Sequence, residues 1–224
     1  MAELPPQLLA RLGPKPAAAL LSAIEAIGEE LVAVYAANVA DHRESRGDNA
    51  QLFGLKVWVH GDYRITGRLE DETDVAVVHS NGSYRIEVGQ ISVGVYKLGD
   101  TADEDVHECF PDTSPTKRAY AERNGAQLKL FDSEPDSPLP PEARYGLNDL
   151  IVGHFGNPRD ALVKWFVGAP TTDANGVRRW AWIARQTMPE AATLPSPAAR
   201  PVVPFDSGEI EPLEVRPRAS RQVS

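Results

Sequence analysis

His107 and Cys109 stand two residues apart in an acidic run that also holds Asp103, Glu104, Asp105 and Glu108. Imidazole and thiolate are good ligands for zinc and related ions, and carboxylates complete such sites. The spacing fits no established ligand pattern. A calcium loop of the EF-hand type starting at Asp100 would need glycine sixth and glutamate twelfth, and those places hold Asp105 and Pro111. The plainer reading is a solvated acidic loop over Gly99–Ser114, with no metal and no cofactor expected.

Asp74 and Glu87 form a second pair. If 74–80 and 83–89 are strands joined at Asn81-Gly82, the two carboxylates lie diagonally on one face. Metal-dependent nucleases hold a divalent cation with such a pair, usually beside a lysine. Here Glu87 is followed by Val88, Gly89 and Gln90, and the next lysine is Lys97. The competing reading pairs Glu87 with Arg85 or Arg64 on a wet face.

His154 stands where a strand meets the turn Gly156-Asn157-Pro158-Arg159-Asp160. A histidine near Asn157, Arg159 and Asp160 could bind an anion or move a proton. The competing reading is a turn in which Asn157 or Asp160 caps backbone groups. Trp165, Trp180 and Trp182, with Arg178, Arg179 and Arg185, make the most aromatic and basic region, suited to stacking on bases or sugars. Tryptophan on a strand is nonetheless more often part of a core. Phosphate-binding glycine loops, HExxH, CxxC and GxSxG are all absent.

The elements that must position these residues read as α+β. Pro5–Leu12 suggests a short helix closed by Gly13. A long amphipathic helix is expected over Pro16–Ser45, with Leu20, Ile24, Ile27, Leu31, Val34 and Asn38 on one stripe. Asn38 in that seam could set register in a helix pair, but the simpler role of the helix is to cover a sheet. Leu55, Val57 and Val59 alternate with polar or aromatic neighbours, so 55–59 and 63–69 read as strands around a Gly61-Asp62 turn. Asn81-Gly82 is a strong hairpin signal. It puts Val75, Val77, Tyr84, Ile86 and Val88 on one face, with Ile91, Val93 and Val95 continuing the meander. Ser114-Pro115 opens a helix that Asn124-Gly125 would close. Asp149–Phe155, Leu162–Val167 and Arg178–Arg185 make a second antiparallel meander, with Trp180 and Trp182 on one face.

Residues 132–141 read as an acidic, Pro-rich linker, and 189–224 as a disordered Pro-rich tail. One compact domain over 1–188 is expected. The alternative is two lobes, 1–131 and 142–188.

The 224 residues carry a formal charge of −9, which disfavours a phosphate-gripping nucleic-acid binder without excluding a local patch. One cysteine, no signal-peptide pattern and no long apolar run point to a cytoplasmic protein with no membrane span. Arginine outnumbers lysine 17 to 6, a composition of GC-rich bacterial or phage genes. On these grounds the expected function is a non-enzymatic binding or regulatory protein acting through a protein partner. The alternative is a metal-dependent nuclease or other hydrolase using Asp74 and Glu87.

Overall fold

The computed structural model describes residues 2–80, 83–109, 115–129, 141–172 and 175–188. The expected linker at 132–140, the expected tail, the Asn81-Gly82 turn and the Ser114 cap lie outside the described residues.

The chain is α+β. Helices α1 (Pro6–Leu12), α2 (Pro14–Asp41) and α3 (Ala50–Leu69) precede strands β1 (Ala76–Ser80), β2 (Ser83–Val88) and β3 (Ile91–Gly99). Helices α4 (Pro115–Lys129) and α5 (Pro141–Arg144) follow, then β4 (Asp149–Asn157), β5 (Ala161–Thr172) and β6 (Arg178–Arg185). The six strands make one sheet in chain order. The two meanders are antiparallel as expected, but they join through a parallel β3–β4 pair, so the sheet is mixed. A parallel junction needs a long crossover, and the segment carrying α4 supplies it.

The expected stripe on α2 is buried throughout, from Leu20 to Asn38. Asn38 turns back on its own helix, where its side-chain amide donates to the Val34 carbonyl at 2.8 Å. Helix α2 packs on α3 and on β5, and Val77, Ile86, Val93, Val152 and Trp165 join it in the main core. The opposite face of the sheet carries α4 over a second cluster of Tyr120, Ile151, Phe155, Phe166 and Trp180.

Three expectations change. The first concerns α3, which replaces the two strands expected at 55–59 and 63–69. Its N-terminus is capped by Asn49, whose side-chain oxygen accepts from the Leu52 N–H at 2.9 Å. Phe53, Val57, Gly61, Ile65 and Leu69 recur every four residues and are buried. Leu55, Val59 and Tyr63 form another four-residue series on a different face. The overlap of two helical stripes imitates the alternation of a strand.

The second concerns Asn124-Gly125, which does not end α4. Asn124 is fully buried, and its amide donates to the carbonyls of Asp149 (2.8 Å) and Pro170 (2.7 Å). Its oxygen accepts from the Asp149 N–H at 3.2 Å. A Cβ on Gly125 would lie 2.8 Å from the Thr172 carbonyl oxygen, so glycine here lets the helix approach β5.

The third concerns Trp180 and Trp182, which lie on opposite faces. Ala169 pairs with Trp182 and Pro170 with Trp180, so an extra residue bulges out of β6. Trp182 enters the α2-side core and Trp180 the α4-side cluster.

Candidate functional site

The three strand tryptophans are buried. Trp180 Nε1 donates to the Val106 carbonyl at 3.0 Å, and Trp182 Nε1 to the Arg144 carbonyl at 3.1 Å. The Trp165 ring lies against Gly28, where a Cβ would come within 2.5 Å of it. These indoles build the core and offer no open face to a base or sugar.

Asp74 and Glu87 are not brought together. Asp74 precedes β1 and meets Lys15 of α2 at 2.8 Å. Glu87 stands opposite Ser92, whose hydroxyl lies 3.3 Å from that of Tyr120 in α4, so it belongs to the other face of the sheet. Its carboxylate accepts from Arg85 Nε at 2.7 Å, one of the two partners expected for it. The other, Arg64, holds Glu30 at 2.6 Å.

The loop after β3 is knitted to the fold rather than simply solvated. Glu104 accepts from the backbone N–H groups of Asp100 and Thr101 at 2.6 and 2.7 Å. Lys164 of β5 donates to the carbonyls of Ala102 and Glu104. Val106 is buried under Trp180, whereas His107 is exposed. Cys109 lies 3.8 Å from a Glu104 oxygen, and burial together with that carboxylate pushes its thiol up. Among the described residues no group of three or more His, Cys, Asp or Glu side chains could hold a metal ion.

The turn after β4 and His154 also part company. Asn157 Oδ1 accepts from the N–H groups of Arg159 and Asp160 at 2.8 Å each, an Asx turn that organises the hairpin. Arg159 projects into solvent. His154 points inward instead, and its Nδ1 lies 2.9 Å from the Tyr35 hydroxyl of α2. Burial, reinforced by Lys97 and Lys117, pulls its pKa down to about 3, so the ring is neutral at pH 7.

His154 lines a cavity of about 300 Å³. The cavity exists because the sheet splays. The β1–β2 ladder runs to its tip, but the β2–β3 ladder ends at Ile86 and Val93. Beyond Val93 the hairpin leaves β3, and α3 closes the gap from one side with Trp58 and Gly61. Ser83 and Tyr84 of β2, Tyr96 and Lys97 of β3 and Lys117 of α4 complete the polar and aromatic part of the lining. Lys97 is paired with Asp100. Lys117 sits half-buried with its ammonium 4.8 Å from the centre of the Tyr96 ring, and burial holds it below the ordinary lysine range.

The outer face of α3 is the other candidate. Leu55, Trp58, Val59 and Tyr63 are 54, 47, 46 and 81% exposed. They cover about 12 Å of helix at 1.5 Å per residue. They account for four of the six large hydrophobic side chains exposed among the described residues. The sequence signal was present as the second apolar stripe, but a strand reading hides it. Comparison with known proteins finds no matching family model, no matching curated protein and no matching solved structure.

Proposed function

We propose that this chain is a non-enzymatic binding protein of the cytoplasm that acts through a protein partner, with the outer face of α3 as its recognition surface. The observation that supports this is the clustering of Leu55, Trp58, Val59 and Tyr63 on solvent-facing turns of one helix whose opposite side already fills the core. Scattered exposed hydrophobics need no explanation, but a contiguous apolar patch marks an interaction site. Tryptophan and tyrosine are the residues that most often dominate such interfaces. The nuclease alternative has less support, because Asp74 lies before β1 and pairs with Lys15 whereas Glu87 lies in β2 and pairs with Arg85. Among the described residues no helix is long and apolar enough to cross a membrane, so the patch is not part of a span.

The test is affinity capture from a lysate of the source organism with the full chain and with a Leu55→Ser/Tyr63→Ser variant. Wild type recovers one stoichiometric partner, and the variant loses it while keeping the wild-type circular dichroism. Equal recovery by both would overturn the assignment to α3. No partner with either would overturn the binding reading itself.

A further inference from the structure

We propose that the cavity between α3 and the splayed edge of β3 is a binding site for a small monocarboxylate with an apolar body. The site is distinct from the outer face of α3: Leu55, Val59 and Tyr63 do not line it, although Trp58 borders both.

Charge sets the ligand class. None of the lining residues is Asp or Glu, in a chain whose formal charge is −9. Two lysines and a histidine supply the basic groups. Lys97 is already neutralised by Asp100. His154 is held neutral by burial, with its Nδ1 already engaged by the Tyr35 hydroxyl, so it supplies no charge. That leaves Lys117. Among the described residues it has no carboxylate partner, and its ammonium lies over the face of Tyr96. A half-buried ammonium without a counter-ion is costly, and a single incoming anion relieves that cost. One uncompensated cation matches a monoanion better than a phosphate dianion.

Shape sets the rest. A volume of about 300 Å³ is at the small end of pockets that hold small molecules. The wall is mostly apolar and aromatic, with Val57, Ile65 and Val95 beside Trp58 and Tyr84. Gly61 makes room, since a Cβ added there would meet nothing within 4 Å. Any larger residue at 61 would project into the free space.

The test is calorimetric titration of the full chain with phenylacetate and octanoate, and with the uncharged phenylacetamide. At least one acid binds at one site per chain, and the amide binds about tenfold more weakly or worse. Lys117→Met lowers acid affinity to that of the amide and leaves the amide unchanged. Gly61→Leu removes binding of both. Should Gly61→Leu fail to fold, the Lys117→Met comparison still decides. Absence of binding by both acids at millimolar concentration would overturn the proposal. So would equal affinity for acid and amide, or an acid affinity indifferent to Lys117→Met. The Leu55→Ser/Tyr63→Ser variant binds the acid like wild type, so failure of this proposal and failure of the partner surface are separable.

Discussion

The hydroxyl of Tyr35 and Nδ1 of His154 meet at 2.9 Å inside the core, tying the C-terminal part of α2 to β4. The tautomer of the imidazole decides which of the two donates. Both groups are held in their neutral forms by burial, with the phenol pushed up and the imidazole pulled down to about 3. An unfolded histidine titrates near 6.5, so between that pH and about 3 the unfolded chain binds more protons than the folded one. The stability that depends on a neutral His154 is therefore complete above pH 6.5 and is lost as pH falls. Urea unfolding measured at several pH values should show a slope approaching about 1.4 kcal/mol per pH unit from this site. His154→Phe removes that contribution, and the slope in this window becomes shallower. An unchanged slope would assign the acid sensitivity to other groups.

Gly28 and Gly61 both lie within helices, yet substitution should act in opposite directions. At Gly61 a Cβ meets nothing within 4 Å, so Gly61→Ala gains helix propensity and raises stability by about 0.5–1 kcal/mol. At Gly28 the same atom would lie 2.5 Å from the Trp165 ring. A buried indole cannot swing aside, and overpacking costs about 1–3 kcal/mol. Thermal unfolding of the two variants checks the contrast, and a rise in both would mean that Trp165 has room to move.

Asn124 is expected to be among the least replaceable polar residues. Asn124→Ala leaves the Asp149 N–H without its side-chain acceptor and removes a donor from the Asp149 and Pro170 carbonyls, all within a buried helix–sheet contact. Losing such a set costs about 2–4 kcal/mol. Asn124→Asp should be nearly as harmful, because a carboxylate cannot donate to the two carbonyls. Denaturant midpoints for both variants measure the effect.

The same residues explain what the sequence could disclose. Spacing along α2 was legible because the large apolar residues Leu20, Ile24, Ile27, Leu31 and Val34 recur at intervals of four and three, while Glu25, Glu29 and Glu30 fall off that stripe. The face assignment in the β1–β2 hairpin was legible because Val77 and Ile86 pair directly within one short unit. Asn124-Gly125 carries the composition of a helix end, but its use is long-range. The carbonyl of Pro170 and the backbone of Thr172, which it serves, lie more than forty residues away. The bulge in β6 inverts the facing of Trp180 relative to Trp182 and leaves no mark in a period-two pattern. The cavity was the least legible feature. Trp58, Tyr84, Lys117 and His154 come from four different elements, and none belongs to a local motif.

The burial pattern of the tryptophans makes one optical prediction. Trp165, Trp180 and Trp182 are 4, 9 and 8% exposed, against 47% for Trp58. A collisional quencher such as acrylamide reaches an indole in proportion to its access to solvent. Most of the quenchable emission should therefore come from Trp58, at the junction of the exposed α3 face and the cavity mouth. Trp58→Phe should remove most of that fraction while leaving a blue-shifted emission that resists acrylamide. Stability should change little, since about half of the ring is already in water and phenylalanine preserves the contact with the cavity wall. If the variant instead kept the quenchable fraction, one of the strand tryptophans would have to be open to solvent, and the two-sided core built around Gly28–Trp165 and Val106–Trp180 would need revision.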